Sequence, residues 1–239
     1  TFSTARAIAE AYTPNYYSQR YFGDFIPYVF KDIALRRETV GNRLPGYRLN
    51  ARADDPSSPT FRYYPPTATF ITYNKTALWL NTMERWLGWP TMQRIMSAYF
   101  SNWQFKHPRP QDFFDTANRV AGRDLGWYFD QVYRSSNVFD YGVQDLRSTA
   151  DGEGFRTVVV VRRYGEAIFP VDVAVTFRNG ERVLEHWDGR DRWMLFTYDR
   201  ASRVLSAVVD PDQVLLLDVN STNNSKTLDP QGPAAATKW

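Results

Sequence analysis

Several residue types that build common functional sites are scarce in this sequence. Its 239 residues include no cysteine and two histidines, His107 and His186, which lie far apart. The lack of cysteine excludes disulfides and thiolate-bound metals. A catalytic zinc needs about three protein ligands, mostly histidines with a carboxylate, and the chain offers no such spacing. It also has no glycine-rich phosphate loop and no nucleophile elbow.

Charge and hydropathy exclude two further classes of function. Lys and Arg total 29 against 26 Asp and Glu, a net charge of +3 with no basic run, so nucleic-acid binding is not expected. No stretch of about 20 apolar residues predicts a membrane span or a signal peptide. Aromatic residues are plentiful, with 8 Trp, 15 Tyr and 16 Phe, which is enough apolar surface for one or two cores.

The stretch from Phe70 to Leu80 predicts the start of a helix at the end of a long irregular segment. Thr72 is the expected N-cap, Gly88 ends the helix, and Pro90 follows. Tyr73 then lies in the first turn, where working residues concentrate because a rigid element positions a loop end. The apolar residues at helical spacing are Tyr73, Ala77, Leu80, Met83 or Glu84, and Leu87.

The remaining pattern divides the chain into a helical part and a β-rich part. Helices are expected at about 2–12, 90–101, 110–121 and 124–134, with a loop of about 30 residues from Val40 to Phe70. In that loop, Tyr63 and Tyr64 either line a pocket or fix the loop to the surface. Asn179-Gly180 predicts a hairpin. The expected strands are 155–161, 170–177, 182–187, 193–198, 204–209 and 214–217.

These elements predict an α+β fold with two domains. Residues 1–140 form a helical domain, residues 141–220 an antiparallel β-sandwich, and residues 221–239 a loose polar tail.

Ordered motifs along the helical part resemble one enzyme family. Tyr73-x-Lys75 opens a helix that ends in Leu-Gly, Asp112-Phe113 follows, and Gly122-x-Asp124-Leu125-x-x-Tyr-Phe comes later. The same order is typical of the membrane alanyl aminopeptidases, which are zinc metallopeptidases (gluzincins), and the resemblance covers roughly residues 1–135. It implies that the helical layer is the carboxyl-side half of a thermolysin-like catalytic domain. One departure is Thr76, where the family usually has glycine.

The resemblance also implies a cofactor that this chain does not hold by itself. The family binds zinc through His-Glu-x-x-His and a glutamate on the next helix, and neither is present. We therefore expect no metal ligands in this chain, and zinc in a longer parent protein with its ligands upstream of Thr1. The chain alone is expected to be inactive.

By the same resemblance, Tyr73 is the catalytic residue. A phenol ionises near pH 10 and stays a hydrogen-bond donor at neutral pH, so it can stabilise the oxyanion of a tetrahedral intermediate. The alternative is a core tyrosine that caps its helix. Lys75 either orients a carboxylate or a helix end, or extends along the surface into solvent.

The expected partners are a peptide substrate and the upstream part of the same polypeptide. The substrate-binding residues and the compartment stay unknown, and the resemblance allows a membrane-associated or exported parent. A second hypothesis is a non-catalytic pseudo-peptidase module that binds a peptide or a partner protein.

Overall fold

The computed structural model describes residues 2–4, 6–7 and 43–229. Residues 2–4 and 6–7 are helical, and the other predictions before residue 43 lie outside the described residues. A π-helical turn, Phe70–Lys75, continues directly into the second of five α-helices between residues 43 and 132. These helices are α1 Leu44–Asn50, α2 Thr76–Leu87, α3 Trp89–Trp103, α4 Pro110–Ala121 and α5 Gly126–Val132.

Glycine and proline set the helix boundaries where the sequence predicts them. Gly88 ends α2 with a φ of 80°, and its N–H donates to the carbonyl of Glu84 at 2.8 Å. Gly122 ends α4 in the left-handed conformation, with a φ of 68°. Asp124 accepts the first N–H of α5, from Gly126 at 2.8 Å. The four helices from α2 to α5 are therefore confirmed.

The prediction of an irregular segment from Val40 to Phe70 is wrong in part. Helix α1 lies within it, followed by 3₁₀ turns at Thr60–Arg62 and Pro65–Thr67. Pro45 and Gly46 look like helix breakers in the sequence. Proline is tolerated in the first helical turn, and Gly46 leaves room for the ring of Phe70: a Cβ on Gly46 would lie 2.4 Å from Phe70 Cδ1.

Seven strands form two antiparallel sheets beyond residue 140. One sheet has the order β1-β2-β5 and the other β4-β3-β6-β7. Strands β3 and β4 make the predicted hairpin, with Gly180 at a φ of 89° in the turn. The strands are β1 Tyr141–Asp151, β2 Gly154–Arg163, β3 Val171–Phe177, β4 Arg182–Trp187, β5 Trp193–Arg200, β6 Val204–Val209 and β7 Ser225–Thr227.

The β-rich part differs from the prediction in three places. Strand β1, which pairs with β2 along its length, is not among the predicted strands. The segment 214–217 is not a strand but an irregular turn. Residues 225–227, expected in a loose tail, form β7 and pair with β6; residues 230–239 lie outside the described residues.

One hydrophobic core extends through the helices and both sheets. The fold is α+β, because the helices precede the antiparallel sheets in the chain. Trp86 of α2 and Tyr128 of α5 both contact Phe169, which precedes β3, with ring centroids 5.5 and 5.9 Å apart. The last of the described helices ends at Val132, and the first strand, β1, begins at Tyr141. The division into two domains near residue 140 stays a prediction. Among the described residues, no helix combines the length and apolarity needed to cross a bilayer.

Candidate active-site surface

The π-helical turn that precedes α2 presents Tyr73 to solvent. Of its six residues, Tyr73 is the exposed one, at 55% of its full accessible surface. Ile71 and Lys75 are buried, and the other three are partly buried. π-Helical turns inserted in α-helices occur frequently at functional sites. The predicted N-cap Thr72 lies inside this turn instead, because helical backbone begins before it.

The buried residues of the turn and α2 differ from the predicted stripe. They are Ile71, Lys75, Ala77, Leu78, Trp79, Thr82 and Met83, while Leu80 and Leu87 are partly buried and Tyr73 is exposed. Tyr73 is therefore not a core residue.

Helix α1 supports the turn from one side. Gly46 lies against the ring of Phe70. A Cβ atom built on Gly46 would lie 3.1 Å from Nδ2 of Asn74. Asn74 Nδ2 also donates to the carbonyl of Arg43 at 3.5 Å. The residues on either side of Tyr73 are thus in contact with α1 or with the segment leading into it.

Lys75 is buried, which corrects the expectation of a lysine extending along the surface. Its side chain is 1% exposed, and its Nζ donates to the carbonyl of Ser135 at 2.9 Å. Burial lowers the pKa of Lys75 to about 8, and the charge of Asp55 opposes this shift. Because Ser135 follows the end of α5, Lys75 links the π-helical turn to the end of the last helix.

A cluster of polar side chains lies on the same side of the turn as Lys75. Tyr63 is buried, and its phenol lies beside the buried Thr72 hydroxyl, which makes no hydrogen bond of normal geometry. Burial and the nearby Asp55 carboxylate raise the pKa of Tyr63. Asp55 accepts hydrogen bonds from the backbone N–H groups of Ser57 and Ser58, each at 2.9 Å. Of the predicted tyrosine pair, Tyr63 fixes the loop, while Tyr64 is 66% exposed.

The side chain of Thr76, the first residue of α2, bonds back to the π-helical turn. Its Oγ1 donates to the carbonyl of Ile71 at 3.4 Å, five residues earlier. A π-helix accepts hydrogen bonds across this spacing, so the hydroxyl supplements the wider backbone turn.

The described residues do not assemble a metal site. No group of three or more His, Asp or Glu side chains comes together in residues 2–4, 6–7 and 43–229. His107 lies in the loop between α3 and α4. His186 lies on β4, where its Nδ1 is 2.9 Å from Oδ1 of Asp172 on an exposed face. The donor set of a catalytic zinc is therefore not supplied by the part of the chain that the structure describes.

Two surface cavities lie away from Tyr73. One of about 570 Å³ opens where the two sheets end, around Ser148, Phe155 and Arg203. Another of about 510 Å³ lies between α3 and α4, around Trp103 and Asp112. Neither of them includes a residue of the π-helical turn.

Comparisons with known proteins assign neither a family nor an activity. No family model matches the chain, and no curated protein matches it. Among solved structures, aminopeptidase A of Legionella pneumophila in complex with aspartic acid is similar at 12% identity and a TM-score of 0.49. The alignment covers 71% of this chain and 20% of that chain, so this chain spans about a fifth of that protein's length.

The sequence pattern predicts Tyr73 as the site residue, which stays a prediction, and gives no signal for the groups around it. Ser135, Asp55 and Gly46 gave no signal of their own, because each meets the turn only through long-range contacts. The available signal is Lys75, two residues after Tyr73 in the motif, and the sequence alone does not decide between its orienting a helix end and its extending into solvent.

Proposed function

We propose that this chain is the carboxyl-side part of a zinc aminopeptidase and that Tyr73 is its oxyanion donor. In this proposal the helices are the second half of a thermolysin-like catalytic domain, and the two sheets form a β-sandwich domain behind it. The substrate is the amino-terminal end of a peptide. The metal ligands belong to another part of a longer polypeptide, because the described residues supply no suitable donor set.

The exposure of Tyr73 on a fixed turn is the observation that carries the proposal. A hydrogen-bond donor contributes to catalysis when it is held where negative charge develops and does not need to reorganise. Tyr73 is 55% exposed while Ile71 and Lys75, on either side of it, are buried. Its phenol is accessible to a substrate, and its backbone is held from the core side.

The chemistry assigned to this chain is limited to that hydrogen bond. When the carbonyl carbon of the scissile peptide becomes tetrahedral, its oxygen gains a negative charge. The Tyr73 O–H donates to that oxygen and keeps its proton. Because the charge is larger in the transition state than in the bound substrate, the hydrogen bond should lower the barrier more than it tightens substrate binding.

The test is Tyr73→Phe in the full-length gene product, assayed on amino-terminal amino-acid amides. We expect kcat to fall by about 10²–10³-fold, the usual effect of removing one oxyanion donor, with KM nearly unchanged. Tyr64→Phe is the matched control, because Tyr64 is also an exposed tyrosine, at 66%. Zinc content, measured by mass spectrometry, should be the same in all three proteins. Near-normal turnover of Tyr73→Phe would remove the role.

A second assay tests the division of the site between two parts of a polypeptide. The chain of 239 residues alone should not hydrolyse peptides, with or without added zinc. Activity in a pure preparation would refute the missing-ligand argument.

The alternative is a pseudo-peptidase module that binds a peptide or a partner protein without cleaving it. It is favoured by the lack of a metal-ligand cluster among the described residues, together with exposed aromatic side chains near the turn in sequence, such as Phe61 at 83%. A full-length product that binds peptides in calorimetry, but contains no zinc and shows no hydrolysis, would support this alternative over the enzyme.

A further inference from the structure

Lys75 occupies a position that is unusual for a lysine. It is 1% exposed and is among the largest fully buried side chains of the described residues. The charge of Asp55 favours its ammonium form, but its hydrogen bond goes to a neutral acceptor, the Ser135 carbonyl. A buried ammonium without an ion-pair partner loses more hydration than one carbonyl restores. A plain core position would be better filled by an apolar side chain of similar volume.

The acceptor of this hydrogen bond is itself held in place. Ser135 Oγ donates to the carbonyl of Gln131 in α5 at 2.8 Å, and it accepts the N–H of Asn137 at 3.3 Å. Helix α5 is fixed in turn by Tyr128, whose phenol donates to the carbonyl of Trp79 in α2 at 2.6 Å. Lys75 therefore connects the π-helical turn to a segment that is anchored independently of it.

The geometry of the turn explains why such an anchor would matter. A π-helical turn contains one residue more than the α-helical turn it replaces, and this geometry is rare because it is less stable. If the extra residue slipped back into α-helical register, each residue before it would rotate by about 100° around the axis, since an α-helix has 3.6 residues per turn. Tyr73, which lies within the turn, would then be reoriented by part of this angle.

From these contacts we infer that Lys75 is a positioning residue for Tyr73. Its hydrogen bond to Ser135 holds the end of the π-helical turn, and the turn holds the Tyr73 phenol in solvent. Lys75 does not touch the substrate. The effect on turnover rests on the proposed function, whereas the effect on the orientation of Tyr73 does not.

The structural test uses the 239-residue chain with ¹³C-labelled tyrosine and observes the Tyr73 ring by NMR. The Tyr73 signal is assigned from its loss in Tyr73→Phe. In Lys75→Met, which keeps the volume and removes the donor, we expect this signal to shift or broaden. Lys106→Met is the matched control, because Lys106 Nζ also donates to a backbone carbonyl, that of Asn102 at 2.8 Å, but on the exposed surface. The control should leave the Tyr73 signal unchanged.

The stability of Lys75→Met towards urea shows whether Lys75 positions Tyr73 or supports the fold as a whole. Lys75→Met removes a buried charge, so it should unfold at the same urea concentration as the wild type or at a higher one. A variant that does not fold, or that unfolds at clearly lower urea concentration, would show that Lys75 supports the whole fold, and would overturn the inference. An unchanged Tyr73 signal in a folded Lys75→Met would overturn it as well.

The kinetic test uses the full-length product. We expect Lys75→Met to lower kcat by about 10²-fold with KM within about twofold, because misplacing a catalytic group by about 1 Å costs this much. Lys106→Met should retain wild-type turnover. If the wild-type product has no peptidase activity, the proposed function fails while the NMR result still decides the role of Lys75. If the wild type is active and Lys75→Met turns over normally, the positioning role fails alone.

Discussion

The phenol of Tyr47 in α1 donates a hydrogen bond to the carbonyl of Leu217 at 3.0 Å, across 170 positions of sequence. Both residues are fully buried. Arg48, the next residue of α1, reaches the same segment, and its Nε donates to the carbonyl of Asp218 at 3.3 Å. Because α1 also packs against Phe70 of the π-helical turn, these bonds connect the surface that carries Tyr73 to the β-rich part of the chain.

The first prediction concerns this connection. Tyr47→Phe should lower the free energy of unfolding by about 1–3 kcal/mol, because the Leu217 carbonyl then loses a buried donor. Urea denaturation monitored by tryptophan fluorescence measures the change. Tyr64→Phe, which removes an exposed hydroxyl, should stay within about 0.5 kcal/mol of the wild type. A Tyr47→Phe variant as stable as this control would mean that the long-range bond contributes little.

The sequence predicts those elements that are specified by local pattern. Helices α2 to α5 carry apolar residues at helical spacing. Glycine or proline also marks a boundary of α2, α3 and α4, and Asp124 precedes α5, so the bounds lie within a few residues of the prediction. The Asn179-Gly180 turn identifies the β3–β4 hairpin in the same way. Each of these signals lies within a few residues of the structure that it specifies.

The missed elements have local apolar patterns that do not match their structure. The apolar run 214–217 looks like a strand, but its backbone N–H groups bond to side chains. Val214 and Leu215 donate to the Asp210 carboxylate. Leu216 donates to the hydroxyl of Thr82 at 3.1 Å, 134 positions away. Strand β1 was missed because a bulge between Val143 and Asp145 interrupts its alternation and its second half is mostly exposed.

The same limit applies to the candidate site. The motif selects Tyr73 as a candidate, but helical spacing does not predict the π-helical turn in which it lies. The burial of Lys75 depends on Ser135, 60 positions later. No local pattern distinguishes a lysine that reaches such a carbonyl from one that extends into solvent.

A second prediction concerns pH and the buried Asp218. Burial raises the pKa of Asp218 to about 7, although N–H donors such as Asn220 and Tyr141 oppose the shift. In the unfolded chain an aspartate ionises near pH 3.9. Between about pH 4 and 7 the native state therefore holds a proton that the unfolded state has lost. The stability that Asp218 contributes is fully present below about pH 4 and is lost as the pH rises through 7.

The measurement compares the wild type with Asp218→Asn in urea at several pH values. Other titrating groups are common to both proteins, so they cancel in the difference. We expect the wild type to lose stability relative to the variant between about pH 4 and 7, with a slope of at most about 1.4 kcal/mol per pH unit. The ¹³C signal of the Asp218 carboxyl should titrate near pH 7. A difference that stays constant, or that grows with pH in favour of the wild type, would contradict the assignment.

The last prediction concerns Thr76, the residue that follows the π-helical turn. Thr76→Val keeps the shape of the side chain and removes the hydrogen bond to the Ile71 carbonyl, so the π-helical turn should open more easily, by about 0.5–1.5 kcal/mol. Hydrogen exchange of the backbone amides from Ile71 to Ala77 should accelerate by roughly 2- to 10-fold if this opening governs exchange. Thr116→Val is the comparison, because Thr116 makes an ordinary α-helical bond to Asp112, at 2.7 Å in α4. It should accelerate exchange in α4 and leave the turn unaffected. Equal effects of both variants on the turn would show that the Thr76 hydroxyl has no special relation to the π-helical geometry.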